Sequence, residues 1–133
     1  MKKIFTIIQL LFISAISFAL PNMKLYKNKG FQYEIKNNKT LDNKGNILYV
    51  IQDGKIYDSA DNEYLGKIDE TSDKVIFTYY NDQKIEKYTE YDKKTGFLTL
   101  ENFYYDGKIS EATNYDTKTG AMRDGARTYQ ANW

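Results

Sequence analysis

The hydrophobic pattern divides the chain into two regimes. Ile4 to Ile16 is almost continuously apolar, broken only by Thr6, Gln9 and Ser14, with Lys2 and Lys3 before it and Ser17-Phe18-Ala19 after it. Past Leu20 no such run recurs. Apolar residues come instead in short stretches interleaved with polar ones, with turn signals at Lys44-Gly45, Asp53-Gly54, Asp61-Asn62, Thr95-Gly96, Asp106-Gly107 and Thr119-Gly120. Gly, Asn and Asp tolerate the positive φ angles that tight hairpins need. The segments between them have the length of antiparallel strands. The pattern predicts strands at Ile47–Ile51, Lys55–Asp58, Tyr64–Ile68, Lys74–Tyr80, Lys84–Tyr91, Phe97–Tyr104, Lys108–Tyr115 and Ala121–Tyr129. No window beyond residue 20 keeps an apolar residue every three to four positions for three turns, so helices are not expected there. Residues 20–46 are rich in Lys and Asn and read as a leader with one strand near Phe31–Ile35.

The first regime reads as a secretion signal over residues 1–19. A basic start, an apolar run and small residues at Ser17 and Ala19 form the three-part pattern cleaved by signal peptidase, here between Ala19 and Leu20. The run is shorter than the roughly 20 residues of a spanning helix. A signal helix is therefore expected at 1–19, with no transmembrane anchor after cleavage, and a product that is periplasmic or secreted. The chain has no cysteine, so neither a lipid-modified cysteine nor a disulfide is available to it. Three regions follow: signal 1–19, leader 20–46 and a β domain over 47–133.

An internal repeat with a 24-residue offset runs through the second regime. Tyr80, Asp82, Lys84-Ile85, Thr89, Tyr91-Asp92 and Lys94-Thr95-Gly96 recur as Tyr104, Asp106, Lys108-Ile109, Thr113, Tyr115-Asp116 and Lys118-Thr119-Gly120. Such a period holds one hairpin and its connection, and predicts a meander of tandem hairpins. By strict alternation Ile85, Thr89 and Tyr91 share one strand face, repeated by Ile109, Thr113 and Tyr115, and this is the face expected to pack. Glu86, Tyr88 and Glu90 fall on the other.

Tyr104-Tyr105-Asp106-Gly107-Lys108-Ile109-Ser110-Glu111, followed by Asn114-Tyr115, Arg123-Asp124-Gly125 and Tyr129, resembles the bacterial variant of the MORN repeat. The turns at 91–96 and 115–120 are also similar to the tyrosine–aspartate repeats of secreted bacterial shell proteins. The MORN-like resemblance covers residues 77–133. It departs from the pattern at Gln83, where glycine is expected, and in the Thr-Gly turn inserted between units. It implies an antiparallel meander serving as a scaffold for contacts.

Composition narrows the chemistry. The 19 basic and 18 acidic residues are interspersed, without the clustered Lys and Arg that nucleic acid binding requires. Histidine and cysteine are both absent, which removes the commonest general base, the thiol nucleophile and the usual zinc ligands. No cofactor or metal is expected. Asp69 with Glu70, Glu86 with Glu90, and Glu101 with Glu111 are the carboxylate pairs available for glycoside chemistry. None lies in an apolar run that would raise a pKa, and a solvated strand face accounts for them. Asp58, Asp61, Asn62 and Glu63, and likewise Asp92 and Asp116, lack the spacing of a calcium loop and read as residues capping their own turns.

The 13 tyrosines remain. Tyr pairs a flat apolar body with a polar tip and suits recognition of sugars or peptides. Tyr79, Tyr88 and Tyr105 lie off the repeated face and are the candidate binding residues. Cross-strand aromatic pairing in a small sheet is the competing explanation. The sequence thus points to an exported, non-enzymatic β-repeat domain with a protein or cell-envelope partner. A carbohydrate-binding protein, less readily a carbohydrate-cleaving one, and a structural envelope component are the alternatives.

Overall fold

The computed structural model describes residues 20–123 and the backbone of residues 127–128. The expected signal helix at 1–19 lies outside the described residues. Eleven strands form one sheet: β1 Met23–Lys27, β2 Gly30–Lys36, β3 Lys39–Leu41, β4 Ile47–Gln52, β5 Lys55–Asp58, β6 Tyr64–Glu70, β7 Lys74–Asn81, β8 Lys84–Asp92, β9 Leu98–Tyr105, β10 Lys108–Asn114 and β11 Arg127–Thr128. Every strand pairs antiparallel with its chain neighbours, in the order β1 to β11. The all-β antiparallel meander anticipated from the sequence is therefore the fold. Of the expected strand Ala121–Tyr129, Met122 bridges Tyr115, and Arg127–Thr128 pairs with Glu111–Ala112. Residues 124–126 and 129 lie outside the described residues.

Two kinds of turn build the meander. Asn28-Lys29, Asn37-Asn38, Asp53-Gly54, Asp82-Gln83 and Asp106-Gly107 each have positive φ at both residues. That is the two-residue type I′ hairpin, whose twist matches the strands it joins. In the longer turns an aspartate organises its own loop. Asp42 Oδ1 accepts from the N–H of Lys44 and Asn46 at 2.9 Å each, and Asp116 Oδ1 from Lys118 and Thr119 at 2.8 and 2.9 Å. Asp92 Oδ1 accepts from Lys94 N at 3.2 Å and Asp58 Oδ1 from Ala60 N at 2.7 Å.

The region read as a leader differs from its expectation. Residues 23–41 carry three strands, and β3 pairs directly with β4 across the supposed boundary at residue 46. The reason is local. Asn28-Lys29 and Asn37-Asn38 make type I′ turns without glycine, so the hairpins carry no obvious punctuation in the sequence.

The packed face also needs a correction. Thr89, Tyr91, Thr113 and Tyr115 are buried, but Ile85 is only half-buried and Ile109 is 36% exposed. Tyr79 opposes Lys87 while Tyr80 opposes Ile85, which leaves Glu86 as an extra residue. Ser110 is likewise extra between the pairs Phe103–Glu111 and Tyr104–Ile109. Each bulge interrupts the alternation, so the isoleucines do not share the face of the threonines and tyrosines.

The sheet curls into a half-barrel. Leu25, Ile35, Ile51, Ile56, Ile68, Val75, Phe77, Tyr91, Leu98 and Tyr115 make one buried cluster on its concave side. Phe77 is the largest of those that are wholly buried. Burial of a side chain of this size contributes about 1.5–3 kcal/mol. The curl brings β1 against the turn between β8 and β9. Tyr26 N donates to Gly96 O at 2.8 Å, and Tyr26 forms a parallel bridge with Phe97. Lys27 Nζ lies 3.0 Å from Glu101 Oε1 on β9, and Tyr91 OH on β8 reaches Gln32 Oε1 on β2 at 2.6 Å. No backbone pairing of this kind joins β2–β4 to β7–β9 at the opposite end, where aromatic side chains line a hollow instead.

Candidate functional site

That open end holds a cavity of about 300 Å³ lined by Tyr33, Tyr49, Leu65, Tyr79, Tyr80, Glu86, Lys87 and Phe103. Strand geometry assembles it. Tyr33, Tyr49 and Tyr79 sit on β2, β4 and β7, each in line with core residues two positions away: Ile35, Ile51 and Phe77. The curl then closes distances that a flat sheet would keep far apart. Tyr33 and Tyr49 meet with ring centroids 6.5 Å apart, and Tyr49 and Tyr79 at 6.1 Å. Phe77 stacks beneath Tyr79 at 6.2 Å. Burial pushes the Tyr79 hydroxyl well above its usual pKa, and the neighbouring Tyr49 adds to the effect. Burial also raises Tyr49, with Tyr33 and Asp58 contributing. These phenols remain neutral donors throughout the physiological range. None of the three hydroxyls is hydrogen-bonded to another described residue.

Among the described residues one cation stands in this aromatic setting. Lys87 Nζ lies 5.6 Å from the Tyr79 ring centroid and 5.5 Å from that of Phe103, within cation–π range. Its nearest carboxylate oxygen is Glu101 Oε2 at 3.8 Å, an ion pair too long for a hydrogen bond. Glu101 is only 3% exposed, its Oε1 is held by Lys27, and its Oε2 has no hydrogen-bond partner. Burial alone would lower the pKa of Lys27, but the hydrogen bond and charge of Glu101 outweigh it and raise it. Glu86, the bulge residue, borders the cavity from an exposed position.

The three tyrosines singled out from the sequence do not come together. Tyr79 is in the cavity. Tyr88 pairs with Thr78 on the convex face, and its hydroxyl donates to Glu90 Oε2 at 2.5 Å. Lys74 Nζ holds the other Glu90 oxygen at 2.7 Å. Burial and the bond to Glu90 raise the Tyr88 pKa. Tyr105 is 80% exposed beside the Asp106-Gly107 turn. A larger hollow of about 560 Å³ borders it, with Asp106, Lys108 and Ser110. None of the described residues that line that hollow is buried, so the smaller, aromatic cavity is the better-defined site. Tyr33, Tyr49, Lys87 and Phe103 escaped the sequence reading. Tyr33 and Tyr49 were visible as strand residues, but only the curl shows that strands three apart share a wall.

Several of the other carboxylates are engaged in structure. Asp69 pairs with Lys67 at 3.5 Å, Glu70 with Lys93, and Asp106 with Lys84 at 2.5 Å. Backbone hydrogen bonds from Asn46 and Lys44 hold the Asp42 carboxyl below its usual pKa, as those from Thr119 and Lys118 do for Asp116. No group of three or more His, Cys, Asp or Glu residues arranged for a metal ion occurs among the described residues.

Comparison with family models, with curated proteins and with solved structures returns no match.

Proposed function

We propose that this chain is an exported, non-enzymatic binding domain that engages a cell-envelope partner through the tyrosine-lined mouth of its half-barrel. The observation that carries this reading is the mouth itself. Aromatic rings, unengaged hydroxyls and one cation converge there on a single cavity of about 300 Å³, at the lower end of the ~300–1,000 Å³ typical of small-molecule sites. Export rests on the signal pattern of residues 1–19 with cleavage between Ala19 and Leu20, which puts the mature chain in the periplasm or outside the cell. The non-enzymatic assignment rests on the lack of His and Cys and on ion pairs that engage at least one member of each candidate carboxylate pair: Asp69 and Glu70, Glu90, and Glu101. The 24-residue repeat and its MORN-like resemblance support a scaffold built to present a contact surface, and the balanced charge argues against a nucleic acid partner.

The mouth also favours the carbohydrate alternative over a purely structural role. Flat rings with free hydroxyl tips suit a sugar better than a strand added at the sheet edge. The test is co-sedimentation of the purified protein with isolated envelope fractions, comparing wild type with Leu65→Trp, which fills the cavity. Wild type should sediment and the variant should lose most of that binding, with an unchanged circular dichroism spectrum. Equal binding by both proteins, or loss on the convex-face change Tyr88→Phe instead, would remove the mouth from consideration.

A further inference from the structure

We infer that the mouth recognises an acidic monosaccharide, a pyranose ring bearing a carboxylate, with Lys87 as the group that selects the acid. The inference rests on the mouth being the binding site and adds the class of ligand.

Three observations lead to it. Two ammonium groups, Lys27 and Lys87, face the single carboxylate of Glu101. Lys27 takes the short contact of 3.0 Å and Lys87 is left at 3.8 Å, with no hydrogen bond to a described residue. The Lys87 ammonium therefore retains its donors, and its side chain is 27% exposed. In an aromatic wall of reduced polarity a charge-assisted hydrogen bond to a carboxylate is stronger than in water. Secondly, the walls are rings. The apolar face of a pyranose can lie on Tyr79 or Phe103 as Lys87 now does, and the hydroxyls of Tyr33, Tyr49 and Tyr79 can donate to or accept from its hydroxyl groups. Thirdly, the charge balance favours a monoanion. Glu86 borders the same cavity and opposes a second negative charge. Phosphate recognition usually engages several donors, from an arginine fork or a backbone nest, whereas among the described residues the cation lining this cavity is one lysine.

Ligand-observed and tyrosine-ring NMR on the purified protein separates the possibilities, using glucuronate, glucose and glucose 6-phosphate as probes. Glucuronate should shift the ring signals of Tyr33, Tyr49 and Tyr79 saturably, with glucose about tenfold weaker, the size of effect one ion pair in a partly buried site supplies. Lys87→Met should abolish that tenfold preference, so that glucuronate and glucose bind with equal affinity. Lys87→Arg should retain most of it. Tyr79→Phe should weaken both sugars together. Equal binding of glucose and glucuronate would overturn the selection of an acid while leaving the mouth as the site. Tighter binding of glucose 6-phosphate would overturn the carboxylate in favour of phosphate. Shifts confined to Tyr88 or Tyr105 would overturn the site itself, and the absence of any shift would overturn the sugar.

Discussion

Two glycines with nearly the same backbone conformation offer a direct measure of what closes the half-barrel. Gly96 has φ +77° and Gly107 φ +78°. An alanine at either position is held in the left-handed region, at a cost of about 1–2 kcal/mol. The two sites differ in their surroundings. A Cβ on Gly107 meets nothing within 4 Å, whereas one on Gly96 falls 2.0 Å from Lys24 O and 3.1 Å from Lys24 C. That oxygen belongs to β1, and the adjoining Gly96 carbonyl accepts the Tyr26 N–H at 2.8 Å. Relief of the clash must push β1 off the β8–β9 turn. Gly96→Ala therefore adds roughly 1–3 kcal/mol of overpacking and about 1 kcal/mol for the hydrogen bond. The Gly107→Ala variant should melt about 5–15 °C below wild type, using ~4–8 °C per kcal/mol for a domain of this size. Gly96→Ala should be less stable than Gly107→Ala by about 2–4 kcal/mol in urea titrations followed by circular dichroism. The reduced unfolded-state entropy of alanine is common to both variants and cancels in the comparison. Equal unfolding midpoints with equal m-values would refute the reasoning, because they would mean that contact between β1 and the turn carries no net energy.

Gln83 holds φ 66° in the same turn position that Gly107 occupies in the next hairpin, so Gln83→Gly should stabilise the protein by about 0.5–1 kcal/mol, the relief of left-handed strain less the added unfolded-state entropy; an unchanged or lowered urea midpoint would contradict it. Alkali should destabilise the fold through its phenols. Burial is the first cause of the raised pKa of Tyr49, Tyr79, Tyr88, Tyr91 and Tyr115. Because the folded values lie above the unfolded value of 10.0, their contribution is fully present below pH 10 and is lost as pH rises through the folded values. Urea midpoints should accordingly fall above pH 10, and the tyrosinate absorbance of these five residues should appear with unfolding rather than before it. A midpoint constant to pH 11.5 would contradict this.

The strands of the second half were legible because most of their turns contain glycine or Asp-Asn and their β-branched and aromatic residues fit a pleated surface. Lys55–Asp58 was anticipated to the residue, and β7 to β9 within one residue at each end. Of the first three strands only β2 was anticipated, near Phe31–Ile35; β1 and β3 were not, because Asn28-Lys29 and Asn37-Asn38 reach positive φ without glycine. The bulges at Glu86 and Ser110 were illegible for a different reason. Alternation is a local rule, and an extra residue is defined only by the partner strand it fails to match. The site had the same status. Tyr79 was read as lying off the repeated face, whereas two positions from Phe77 it shares the concave face of Thr89 and Tyr91; its neighbours Tyr33 and Tyr49 are far away in sequence and become neighbours only through curvature.

The concave interior is more polar than stability requires, and that is the strongest reason to treat it as functional. Thr40, Thr89 and Glu101 are almost wholly buried on that side, yet Thr40 Oγ1, Thr89 Oγ1 and Glu101 Oε2 find no hydrogen-bond partner. Each such atom costs about 1–3 kcal/mol against a satisfied one. Well-packed aliphatic side chains in place of the Lys27–Glu101 pair would often be neutral or stabilising. A sheet that had only to fold would replace these groups with valine or leucine, as it does at Val75 and Leu98 on the same face. Glu101 instead sits between two lysines, firmly bonded to one and loosely to the other, and the loosely held Lys87 is the one that reaches the open mouth. Its position between two rings keeps an ammonium group available inside an aromatic wall. A purely structural lysine would be neutralised by a short contact, as Lys74 is by Glu90 at 2.7 Å. The proposed recognition at the mouth rests on the contrast between these two lysines of one sheet, one paired by a short contact on the convex face and one held more loosely on the concave face.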